Sequence, residues 1–236
     1  RAPSTRTAPA SITALAFWTK QSGVFTQASR VLGQDGFGVN APNFIEGREM
    51  WLVSSGAAGG GIAIDSTSSP PRLYIADTFN NPVLGFRDAR SVRQRVLPDL
   101  VIGQPDLRRN VINYKTSDPN NDRETPSASS LARPVGLAVD TAGNLWVADA
   151  GNGRVLRFPK PFEQQQLSLP SADMVIGQSG FSSRILDAPA ANRMSSPIGI
   201  AFDGDFGMFV SDRSNHRVLF FPAPFMSGMR ATKVFG

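Results

Sequence analysis

A short apolar phrase ending in glycine recurs four times along the chain, as Arg30-Val-Leu-Gly33, Leu100-Val-Ile-Gly103, Met174-Val-Ile-Gly177 and Lys233-Val-Phe-Gly236, at spacings of 70, 74 and 59 residues. Three copies run on alike, into Gln34-Asp-Gly-Phe37, Gln104-Pro-Asp-Leu107 and Gln178-Ser-Gly-Phe181. Self-similarity at this period marks a repeated structural unit. Between these phrases a second pattern returns: Gly61-Ile-Ala-Ile-Asp65, Gly136-Leu-Ala-Val-Asp140 and Gly199-Ile-Ala-Phe-Asp203. After a polar turn comes Leu73-Tyr-Ile-Ala-Asp77, Leu145-Trp-Val-Ala-Asp149 or Met208-Phe-Val-Ser-Asp212, β-branched and aromatic runs that suit a pleated sheet. Asn80, Asn152 and Asn215 follow, each three positions before a third apolar run that begins at Val83, Val155 or Val218. The glycine phrase closes each set as a fourth strand.

Four short strands joined by tight turns describe one antiparallel sheet, and no helical periodicity competes. A sheet this small cannot bury both faces alone, so the units must stack. Radial stacking of four-stranded sheets makes a β-propeller, with a solenoid as the geometric alternative.

The stretches Pro134-Val-Gly-Leu-Ala-Val-Asp140 through Phe158 and Pro197-Ile-Gly-Ile-Ala-Phe-Asp203 through Phe221, each followed by an apolar-Gly strand, resemble NHL repeats. The resemblance implies an all-β propeller, of six four-stranded blades in the usual member. The first unit departs from the pattern, with Gly59 in place of the proline and Pro82 in place of the arginine. By the same alignment 12–34 reads as half a blade, with whole blades at about 56–104, 134–178 and 197–236, fourteen strands in all. A polar insertion fills 105–133, and 1–11 is a flexible basic leader. Such an arc leaves an apolar sheet face open at each end, so more chain or another subunit is expected to close the ring.

Composition narrows the function. There are no cysteines, which excludes thiol chemistry and disulfides. The longest uncharged run, Met50–Ile64, contains four glycines and is too short to span a bilayer. The formal charge is +5, and its densest cluster, Arg87, Arg90, Arg93 and Arg95, lacks the interleaved aromatics that argue for nucleic acid. Repetition assigns Asp65, Asp140, Asp203, Asp77, Asp149 and Asp212 to structure, as turn caps, because chemistry requires one blade to differ. The one histidine, His216, is read as a turn residue. Asp118, Asn120 and Asp122 alternate like ligands of a calcium loop, but Arg123 and Ser129 stand where the loop needs glycine and glutamate. No cofactor is expected.

The resemblance implies a noncatalytic scaffold or recognition module, extracellular or periplasmic, that binds a protein or glycan partner through blade-top loops. The insertion and Arg133, Arg154, Arg157 and Arg217 are the candidate contacts. Since Arg154 and Arg217 share one repeat position, pairing with a neighbouring blade's aspartate is the alternative role for them. Two other readings stay open, a fragment of a metal-dependent propeller lyase or lactonase-like hydrolase, and a subunit of a larger assembly.

Overall fold

The computed structural model describes residues 15–21, 24–39, 48–54, 57–116, 123–164, 168–204 and 206–236. Its strands in chain order are β1 (Leu15–Gln21), β2 (Val24–Leu32), β3 (Val53–Ser54), β4 (Ala57–Ala58), β5 (Ile62–Asp65), β6 (Arg72–Ala76), β7 (Val83–Phe86), β8 (Leu100–Ile102), β9 (Pro134–Val139), β10 (Leu145–Asp149), β11 (Arg154–Phe158), β12 (Met174–Ile176), β13 (Pro197–Asp203), β14 (Gly207–Asp212), β15 (Arg217–Pro222) and β16 (Lys233–Phe235). Strands β5–β8, β9–β12 and β13–β16 form three four-stranded antiparallel sheets in sequential order, and among the described residues β1 and β2 form a two-stranded sheet. The molecule is all-β, built of propeller blades.

The blades pack face to face. Tyr74, Ala76 and Val83 of the first sheet meet Leu137, Leu145, Val147 and Leu156 of the second in one buried cluster. The other face of the second sheet, with Trp146, Val155 and Ile176, meets Met208, Val210, Leu219 and Phe221 of the third. Middle strands are therefore covered on both sides, which is why β6, β7, β10 and β11 read as nearly unbroken apolar runs. First strands lie closest to one another, β5 against β9 and β9 against β13. Their repeated glycine follows from that approach: a Cβ on Gly136 would stand 2.5 Å from the Ile198 carbonyl oxygen, and one on Gly61 would strike the Val135 carbonyl. Sheets that converge at their first strands and face one another along their breadth radiate about an axis.

The fourth-strand glycines have a different cause. Gly33, Gly103, Gly177 and Gly236 hold φ of 87°, 90°, 89° and 106°, the left-handed region where a side chain is disfavoured.

Besides the expected strands the described residues hold one more pair, β3 and β4. Met50 and Gly61 are eleven positions apart, whereas Leu131 and Gly136, like Met194 and Gly199, are five apart. This strand pair, Val53–Ser54 with Ala57–Ala58, lies within the longer entry to the first blade. At the ends, Leu32 packs on β6 and β7, while Ile62 and Ile64 of β5 remain 44% and 47% exposed. On the far face of the third sheet Phe209, Phe220 and Phe235 cluster beside a 61% exposed Val234.

Candidate functional site

The second-strand aspartates do not cap their own hairpin turns. In the second blade, Asp149 Oδ1 accepts from the Ala132 N–H at 2.7 Å, on the segment entering that blade. Its Oδ2 accepts from Asn152 Nδ2 at 2.7 Å and from Arg154 Nε at 2.8 Å. The Arg154 fork then donates to the Ser127 and Ser130 carbonyls at 2.9 and 3.0 Å. In the third blade Asp212 takes the Ser195 and Ser196 N–H groups, Asn215 and Arg217, and Arg217 reaches the Ala190 and Arg193 carbonyls. Asp, Asn and Arg thus form a latch that fastens the second and the third blade each to its own entering segment. Arg154 is fully buried and Arg217 largely so. Both pair with the aspartate of their own blade, five residues upstream, instead of one in a neighbour, and Arg154 has no surface to offer a partner.

The first blade lacks the cation, because Pro82 occupies the arginine position. Asp77 keeps the Trp51 N–H and Asn80 Nδ2, both at 2.8 Å. Burial pushes its carboxyl up to about 6, against these two hydrogen bonds. Asp149 is also raised by burial, with Arg154 opposing. An acid raised in the fold and ordinary when unfolded, near 3.9, makes the folded state bind the extra proton between these values, so stability falls as pH rises through that window. Asp77→Asn should remove a decline on the order of 3 kcal/mol between about pH 3 and 7. Urea denaturation across that range would show it, and parallel profiles for wild type and variant would refute it.

Among the first-strand aspartates, Asp65 Oδ1 accepts from Thr67 N and Oγ1 at 2.9 and 2.6 Å. Asp140 accepts from Ala142 N, Asn144 N and Nδ2, and Trp146 Nε1. Asp203 is exposed. Arg157, half-buried on β11, forms a two-pronged pair with Asp173 at 2.7 and 2.8 Å. His216 ends a short 3₁₀ turn with φ of 50°. Asp118, Asn120 and Asp122 lie outside the described residues, as do the Trp18 side chain and the leader. Two groups escaped the sequence reading. The glutamine after the repeat glycine folds its loop back, Gln104 onto both backbone groups of Val111 and Gln178 onto those of Ile185. Asn113, buried in the insertion, forms an amide pair with Asn152 and so anchors the insertion to the latch.

At the end of the blades that carries the second-to-third turns and the entering segments, a cavity of about 280 Å³ opens between the first and second blades. Trp51 and Phe79 wall one part, with ring centroids 6.0 Å apart. Arg123 and Arg133, both exposed, line it as well. Arg133 takes φ of 51° and its N–H donates to Asn81 Oδ1 at 2.9 Å, while Asn81 itself has φ of 71°. Two side-chain-bearing residues held in the left-handed region and joined to each other carry backbone strain at this rim. Of the four candidate arginines, Arg133 is the one in this cavity.

The family model described as NHL repeat matches residues 131–158, which run from the entering segment through β11. No curated protein matches the chain. Among solved structures, selenomethionine-substituted virginiamycin B lyase from Staphylococcus aureus is 11% identical with a TM-score of 0.36, over 75% of this chain and 40% of that one. A streptogramin B lyase structure is 13% identical with a TM-score of 0.32, over 75% of this chain and 53% of that one. The chain spans about half the length, or less, of these two proteins. No helix among the described residues is long and apolar enough to cross a membrane.

Proposed function

We propose that this chain, which contains an NHL repeat at 131–158 in an arc of propeller blades, is a noncatalytic recognition module that engages a protein or glycan partner at the cavity of Trp51, Phe79, Arg123 and Arg133. The observation that carries this reading is the conjunction of two aromatic rings with two exposed guanidiniums in one concave site. Aromatic and arginine side chains supply most of the binding energy in recognition surfaces. A sugar ring or planar side chain would lie against Trp51, and a carboxylate or sulfate would pair with the arginines. The strained backbone at Asn81 and Arg133 presets the rim, which reduces the ordering cost of binding. The reading also extends to an extracellular or periplasmic setting, where such partners are displayed.

The test is a screen of oligosaccharide and peptide arrays followed by titration of each hit against Trp51→Ala and Arg133→Ala. Each variant is expected to weaken binding by about tenfold or more with unchanged thermal stability. Hits that bind both variants as tightly as the wild type would overturn the assignment.

A further inference from the structure

At the opposite end of the same pair of blades, where first-to-second turns and third-to-fourth connections lie, the first blade departs from its siblings. Its turn from Asp65 to Arg72 is seven positions long, against four from Asp140 to Asn144 and four from Asp203 to Gly207. In the second blade both oxygens of Asp140 are satisfied, Oδ2 by Asn144 Nδ2 and Trp146 Nε1 at 2.9 Å each. In the first, Arg72 and Tyr74 occupy those two positions and neither completes the bond. Asp65 Oδ2 is buried with no hydrogen-bond partner among the described residues, and the Arg72 guanidinium stands off at 3.7 Å. The buried Tyr74 hydroxyl lies near Arg72, also without a well-formed hydrogen bond. An unsatisfied buried carboxylate oxygen is costly and marks a place where a donor is missing.

That oxygen belongs to a residue lining a polar cavity of about 410 Å³. The cavity's other charged groups are Arg72, Arg87, Lys160 and Glu163, from both blades. Arg72 is shared between Asp65 and Glu163 at 3.7 Å from each, too long for a hydrogen bond. Lys160 is 3.9 Å from Glu163 and holds φ of 34°. Arg87 is exposed, and its guanidinium stands 5.1 Å from the Phe162 ring centroid, as does that of Arg72. Three cations face two carboxylates, so the site keeps one net positive charge together with unfilled acceptor capacity. The hydroxyls of Thr67, Ser68 and Ser69 add further polar groups on the longer turn.

From this arrangement we infer that the cavity binds a small polyhydroxylated monoanion, a sugar acid whose carboxylate pairs with Arg87 and Lys160 and whose hydroxyls donate to Asp65 and Glu163. Binding swings Arg72 off Asp65 Oδ2, which lets a ligand hydroxyl satisfy that oxygen. Acetate lacks the hydroxyl donors and glucose lacks the anion, so neither fills the site.

The experiment is an amide-resonance titration of the full chain with D-glucuronate, with D-glucose, acetate and D-glucose 6-phosphate in parallel. Saturable shifts confined to the Thr67, Ser68 and Gly143 region are expected with glucuronate. Arg87→Ala, at an exposed position that leaves folding intact, and Asp65→Asn, which keeps the turn's acceptor, are each expected to weaken binding about tenfold. Trp51→Ala is expected to leave it unchanged, so failure here is distinct from failure at the other end. Absence of saturable shifts with glucuronate, equal response to glucose, tighter binding of the phosphate, or indifference to Arg87→Ala would each overturn the inference.

Discussion

Arg154→Ala is expected to cost about 3–5 kcal/mol of folding stability, as breaking one side of a buried ion pair does. The side chain is fully buried against Asp149, and its removal leaves that carboxylate without its counter-charge and takes a donor from the Ser127 and Ser130 carbonyls. Arg154→Lys should recover only part of the loss, since an ammonium cannot reproduce a fork that donates to carboxylate and backbone together. Arg157→Ala is the internal control. Its pair with Asp173 is partly solvated, and such a pair contributes about 1 kcal/mol or less. Urea denaturation of the three variants measures this directly. Equal losses at Arg154 and Arg157 would mean that the latch does not hold the blade.

A second large effect is expected between blades. Gly61→Ala drives a methyl group into the Val135 carbonyl on the adjoining first strand. The obstacle is backbone and cannot rotate aside, so the blades must separate where they are closest. Overpacking of this kind costs about 3 kcal/mol or more. Gly180→Ala meets nothing within 4 Å and needs no left-handed φ, so it should be neutral within about 0.5 kcal/mol. Thermal denaturation of both variants decides the matter, and a neutral Gly61→Ala would contradict the close approach of the first strands.

The blades were legible in sequence because each strand repeats its own apolar phrase, and three copies separate pattern from accident. The latch was half legible. Asp149, Asn152 and Arg154 recur with Asp212, Asn215 and Arg217, but their partners are backbone groups of Ala132, Ser130 and Ser195, which carry no side-chain signature. For that reason Arg154 looked available to a partner when it is enclosed. The cavity beside Trp51 was illegible except at Arg133, since its walls come from an entering segment, a turn and an insertion that differ from blade to blade. The polar cavity at the other end had a signal that repetition hides: Arg72 and Tyr74 stand where the next blade has Asn144 and Trp146, so their aspartate is not equivalent to its siblings.

The latch also bears on how the arc comes apart. The segment entering the second blade is gripped from behind as well as ahead, because Thr78 Oγ1 donates to the Pro134 carbonyl at 2.7 Å and Asn81 Oδ1 takes the Arg133 N–H. Release of Arg154 therefore loosens a strip of chain on which the preceding blade also depends. In the language of nearest-neighbour repeat models, these bonds are an interface term that ties the stability of one unit to that of the next. The first and second blades are therefore expected to melt as one cooperative body, rather than as beads on a string.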